Sequence, residues 1–187
     1  MEAYYNLAMS LKLTGAWVGS LHAYRLAVVI QPKLAQAHCN MAEIHALMNQ
    51  SDLAKALYHR ALAIDLTLLM AWVNLGNLYL QSGKLLDARR AIVQALVLKP
   101  DLPAALSSFG SLLKAEKAFS KSSTFYRRAL RISPLYVETL NNLGNAFREQ
   151  ELWAHAVDAY KSALILDPSF APAFYNWGIG LYRVGLI

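Results

Sequence analysis

The sequence predicts an all-α solenoid built from helix-turn-helix units, and three regularities predict it. Pro32, Pro100, Pro134 and Pro168 fall on a lattice of 34 residues, with Leu66 in the remaining slot. The same step carries Ala27 onto Ala61, Ala95, Ala129 and Ala163. A third column holds only small residues: Ala8, Ala42, Gly76, Gly110, Gly144 and Gly178. A fixed period of this length marks a stacked array, in which each unit buries its apolar face against its neighbours.

The first helix of each unit is clearest in the third copy. Trp72, Leu75, Gly76 and Tyr79 stand at i, i+3, i+4 and i+7, one face of a helix. The second helix carries the column Tyr24, Tyr58, Ile92, Tyr126 and Tyr160, and four residues before it Ser20, Ala54, Ala88, Ser122 and Ala156. Small residues in the Gly76 and Ala88 columns let two helices approach closely, and the large columns fill the space between them. Proline ends the second helix and sets the turn into the next unit. Repeat two is the weakest copy. His38, Met41, Ala42 and His45 stand in its packing slots, Ser51 replaces the usual large residue after the turn, and Leu66 replaces proline. Looser packing is expected there.

Composition narrows the function. The chain of 187 residues is 56% hydrophobic and 16% charged, which argues against disorder. No apolar run approaches the roughly 18–20 residues of a membrane helix, and the N-terminus lacks the basic and apolar regions of a signal peptide. Cys39 is the only cysteine, so no intrachain disulfide forms. A cytoplasmic location is the expectation.

Residues 72–79 followed by Ala88, Ile92, Ala95 and Pro100 resemble the tetratricopeptide repeat, whose pattern W-x2-L-G-x2-Y…A-x3-F…P has this period. The resemblance covers the whole chain, 1–187, as a single array. The repeats are 1–34, 35–68, 69–102, 103–136 and 137–170, with a half-repeat at 171–187. It implies a right-handed superhelix of eleven helices, with the first helix of each pair lining the concave face.

On that reading, positions 4, 7, 8 and 11 of each first helix face the core, and positions 2, 5, 6, 9, 12 and 13 face a groove. Position 6 reads Asn6, Asn40, Asn74, Ser108, Asn142 and Asn176, and position 9 adds Asn77 and Asn145. An asparagine amide offers two donors and an acceptor, and so pairs with both the N–H and the C=O of a peptide backbone. First helices about 10 Å apart would meet about every third residue of a strand rising roughly 3.3 Å per residue. The column is thus expected to grip an extended protein or peptide partner without reading its sequence. The competing reading is that these amides are solvated or bonded locally. The column also resembles the asparagine ladder in the repeats of protein O-linked N-acetylglucosamine transferases, which implies the alternative of a substrate-recruiting or regulatory module of a larger glycosyltransferase.

Groove charges balance, with Lys12, Lys114, Arg148 and Arg183 against Glu2, Glu43, Glu138 and Glu149. Tyr5, Met9, Leu13, Cys39 and Leu47 make one end apolar, and Tyr175, Ile179 and Tyr182 the other. Lys12 and Asn40 alone do not make the carboxylate clamp of chaperone-binding tetratricopeptide domains. The formal charge of +6 therefore lies elsewhere. Without a basic stripe in the groove, nucleic acid is not an expected partner. Basic repeat four and acidic repeat five are expected to pair across their boundary. No catalytic role, cofactor or metal is expected. His38 and His45 lie about 10 Å apart at 1.5 Å per residue, too far to share an ion, and read as substituted core residues. Phe174, Trp177, Gly178 and Leu181 leave the 171–187 helix with an apolar face, so self-association through it is a further expectation.

Overall fold

A computed structural model describes residues 1–186; the last residue of the half-repeat, Ile187, lies outside them. Among the described residues there are eleven helices and no strand. They fall into two compact units, Met1–Ser82 and Gly83–Ile187. Unit one holds α1 (Glu2–Leu13), α2 (Trp17–Ile30), α3 (Ala35–Leu47), α4 (Ser51–Ile64) and α5 (Leu69–Gln81). Unit two holds α6 (Leu85–Leu98), α7 (Pro103–Ala115), α8 (Phe119–Ile132), α9 (Val137–Arg148), α10 (Trp153–Leu166) and α11 (Ala171–Arg183). Consecutive helices pack antiparallel in pairs, most extensively α1 on α2, α3 on α4, α7 on α8 and α9 on α10.

The columns explain the pairing. Ala27, Ala61, Ala95, Ala129 and Ala163 have no exposed surface, and Tyr24, Tyr58, Ile92, Tyr126 and Tyr160 are at most 1% exposed. The glycines of the first helices let these rings come close. A Cβ placed on Gly110 would stand 2.7 Å from the Tyr126 ring, and one on Gly144 would stand 2.4 Å from Tyr160. Where the second helix carries serine in place of alanine, the hydroxyl is satisfied by the facing helix. Ser20 Oγ donates to the Ala8 carbonyl at 2.7 Å and Ser122 Oγ to Gly110 at 2.8 Å.

The second helices stop one residue before the proline lattice begins its turn. Gln31, Lys99, Ser133 and Asp167 have φ between −128° and −145°, as the residue before proline requires. Asp65 adopts the same φ, −142°, ahead of Leu66. Its carboxylate accepts from the Thr67 amide at 2.8 Å, a side-chain turn that Asp167 also makes, with Ser169 at 2.9 Å, around Pro168. The repeat boundary therefore survives the substitution.

A second feature of the turns is invisible in residue identity. Gly15, Asn49, Gly83, Lys117, Glu151 and Gly185 lie 34 residues apart, and all have φ between 59° and 76°. Each carries the chain out of a first helix in the left-handed region. Three of the six are not glycine and so hold a conformation that costs an L-residue roughly 1–2 kcal/mol.

The expected salt bridges between repeats four and five do not form among the described residues. Arg127 instead stacks over Phe147, 5.1 Å from its centroid, and Arg128 over Phe125 at 5.1 Å. Each of these guanidinium groups thus has an aromatic ring as its partner, one repeat or one turn away.

Candidate peptide-binding face

Each unit presents the same face of its first helices, and the ladder residues on it fall into four groups. Asn6, Asn77 and Asn142 make no side-chain hydrogen bond among the described residues; Asn6 is exposed and the other two are half-buried. Asn74 is half-buried beside Tyr58, and both line one cavity. Ser108 is buried, 6% exposed.

The remaining three amides are committed within the protein. Asn40 Nδ2 donates to the Tyr5 hydroxyl at 3.1 Å, and its Oδ1 accepts from Gln36 at 3.3 Å. Asn176 Nδ2 donates to Asn141 Oδ1 at 3.0 Å, while its Oδ1 accepts from Arg148 at 3.2 Å. Asn145 Oδ1 accepts from the Tyr160 hydroxyl at 2.9 Å. Position 6 thus bonds to position 5 of the preceding first helix, as in Asn40 to Tyr5 and Asn176 to Asn141. The local-bonding reading holds for these rungs.

Position 5 needs correction. Cys39, Ser107 and Asn141 are buried at 4%, 7% and 7% exposure, because this row meets the neighbouring first helix and not the groove. Ser107, for example, shares a 2.8 Å hydrogen bond with Thr139. The Cys39 thiol is pushed up to about 11, chiefly by burial, so it is held as the thiol and not the nucleophilic thiolate. No group of three or more metal-ligating side chains comes together among the described residues, and no helix is long and apolar enough to cross a membrane.

In unit one the open rungs converge. Glu43, Leu47, Tyr58, Asn74, Asn77 and Gln81 line a cavity of about 270 Å³. Burial raises the Tyr58 hydroxyl above its ordinary pKa, so it stays protonated. The cavity therefore offers amide donors and acceptors, one phenol and the Glu43 carboxylate, which is paired with Lys12. In unit two, Asn142 lies on the same helix as Asn145 and Arg148. Burial there lowers the Lys114 pKa, with nearby Arg148 adding to the effect.

The apolar face of the 171–187 helix is covered in part. Trp177 does not stand open: it packs against the core around Tyr126, Phe147 and Tyr160. Phe174, at 61% exposure, is the open residue. A Cβ on Gly178 would meet nothing within 4 Å, where Gly110 and Gly144 each meet a tyrosine.

Solved structures place this architecture among known ones. The chain aligns with the anaphase-promoting-complex hetero-tetramer Cut9–Hcn1 at a TM-score of 0.91 and 17% identity, over 96% of its own length and 36% of that chain. The thermophilic tetratricopeptide protein TTC0263 of Thermus thermophilus aligns at 0.82 and 16% identity, covering 97% and 98% of the two chains. YrrB, a tetratricopeptide protein with an unusual peptide-binding site, aligns at 0.65 and 18% identity, covering 92% and 89%. At these identities the likeness is one of fold. Comparison with curated proteins finds no match. At the level of sequence, tetratricopeptide-repeat models match residues 35–67, 71–102 and 139–171, together just over half of the chain. The matched segments follow the periodic tyrosines, alanines and prolines that build the helix pairs, and the chain belongs to the tetratricopeptide repeat family.

Proposed function

We propose that the chain is a protein-interaction scaffold whose first-helix faces hold an extended segment of a partner protein by its backbone. The observation that carries this reading is the meeting of Asn74 and Asn77 in one cavity with Glu43 and Gln81. Amides there face open space and have donors and acceptors to spare. The peptide-binding site named for YrrB supports the same use of this architecture.

The rungs differ in what they do, and that makes the proposal testable. Asn77 and Asn142 make no side-chain hydrogen bond among the described residues, so replacing both by alanine leaves the helices intact. For a peptide selected from a random library against the wild-type chain, calorimetry should show affinity falling by about 1–3 kcal/mol, at 0.5–1.5 per lost hydrogen-bonding residue. Unchanged affinity, with binding still competed by unlabelled peptide, would remove the ladder from the function.

A second reading is favoured by Gly178, an open notch in a column where Gly110 and Gly144 each receive a tyrosine. We infer that α11 is a self-association face. Sedimentation velocity over a concentration series should show the wild-type chain associating and Phe174→Glu remaining monomeric. A wild-type chain monomeric at the highest concentration sinks this reading and leaves the first untouched.

A further inference from the structure

Repeat two has a second opening, away from the asparagine face. A cleft of about 710 Å³ lies between α2 and α4 and is floored by α3. Its floor is His38, Met41 and His45, the residues in the slots that repeat three fills with Trp72, Leu75 and Tyr79. The two histidines keep the polar bonds of this framework but not the bulk. His38 Nε2 donates to the Pro32 carbonyl at 3.3 Å, as Trp72 Nε1 donates to Leu66 at 2.8 Å. His45 turns its Nδ1 to Gln50 Oε1 at 2.5 Å. Exchange of two large aromatic rings for imidazoles is what leaves the cleft open.

The walls add charge of one sign. Arg25 on α2 and Arg60 on α4 line the cleft, both are exposed, and no acid lines it. Neither guanidinium is in a salt bridge or stacked on a ring among the described residues. Repeat five shows the closed form of the same place. Arg127, which is Arg25 three repeats on, covers the Phe147 ring, and Phe147 packs at 5.4 Å from His155. In repeat two the ring is His45, and Leu53 in the His155 slot is 55% exposed. The His38 Nδ1, buried with its ring, has no donor. Burial first, and Arg60 in addition, hold the His38 imidazole below its ordinary pKa, so it remains neutral.

We propose that this cleft is a docking site for an acidic segment of a partner protein, which seats one tryptophan or tyrosine side chain on Met41 between His38 and His45 and places carboxylates on Arg25 and Arg60. Two unpaired arginines on facing walls call for more than one carboxylate, which a peptide supplies and a small apolar acid does not. An aromatic side chain restores the volume that the two histidines gave up.

The test uses the intact chain and a fluorescein-labelled heptapeptide, EDEWEDE, with blocked ends. Anisotropy should show saturable binding that weakens at least tenfold in the double variant Arg25→Ala, Arg60→Ala. It should weaken as much in Ala56→Trp, which fills the cleft from its α4 wall. Binding should be unchanged in Asn77→Ala, Asn142→Ala, which separates this site from the ladder. The Met41 methyl resonance should shift on titration with the wild-type chain. Circular dichroism confirms that each variant is folded. Equal binding of EDEAEDE, or binding that survives both cleft variants, would overturn the proposal. So would no binding at millimolar peptide, or a Met41 shift produced by indole-3-acetate alone.

Discussion

Tyr160→Ala should be among the most damaging substitutions of a single side chain in this protein, costing about 3–5 kcal/mol by the measure of other buried aromatic truncations. Three losses combine. The ring has no exposed surface, so its removal leaves a cavity of the ring's full size. The ring face that fills the space above Gly144 disappears, and no side chain on that glycine moves in to replace it. Its hydroxyl also donates to Asn145 Oδ1, so the variant frees an amide on the candidate binding face. Burial pushes the hydroxyl up to about 12, and the residue therefore acts as a neutral donor throughout the ordinary pH range. Urea unfolding followed by far-ultraviolet circular dichroism checks the size. A loss under about 1 kcal/mol, well below that range, would mean that the helix pair α9–α10 is held by something other than this ring.

Gly144→Ala and Gly178→Ala should move stability in opposite directions, although both sit mid-helix in the same column. Alanine is the better helix former by about 0.8–1.0 kcal/mol. At Gly178 nothing lies within 4 Å of the added methyl, so that gain should appear nearly whole. At Gly144 the methyl would stand 2.4 Å from the Tyr160 ring. The ring has no exposed surface, so it must shift within a packed core, and overpacking of about 1–3 kcal/mol exceeds the helix gain. Thermal melts of the two variants side by side decide it. Equal shifts would show that the glycine column is a helix preference and not a packing requirement.

The fold was legible because its determinants repeat as identities. Five alanines at one spacing leave little choice about which surface is buried, and all five are fully buried. The left-handed turn was not legible, since Asn49, Lys117 and Glu151 share a backbone angle and nothing else with Gly15, Gly83 and Gly185. The backbone imposes that angle by a bond that closes the helix end, as Gln50 N–H reaches back to the His45 carbonyl and Ala118 N–H to Leu113, and a side chain that tolerates it gives no warning. The candidate site was half legible. Helical spacing identified the asparagine column but not which amides were already spent. That depends on the neighbour one repeat away: Tyr5 for Asn40, Asn141 for Asn176. The position 5 row was assigned to the groove because a single helix shows no sign of the parallel helix beside it. The two histidines of repeat two looked like imperfect core residues, and they are buried as such. The opening they leave depends on missing volume, which a residue pattern does not display.

The contact between glycine and tyrosine has a bearing on how such a chain changes over generations. Gly110 meets Tyr126, and Gly144 meets Tyr160; both partners come from one repeat. The serine bonds from Ser20 to Ala8 and from Ser122 to Gly110 are likewise internal to their repeats. A duplicated or deleted gene segment of one period therefore carries both halves of its tightest fit with it. What it must match in its new neighbours is the alanine column, and that column is the same in all five copies. Unequal exchange can lengthen or shorten the array without any compensating change at the junction. Drift at this contact runs within limits of size: Ala8 and Ala42 stand in the glycine slot opposite Tyr24 and Tyr58, and Gly76 stands opposite Ile92.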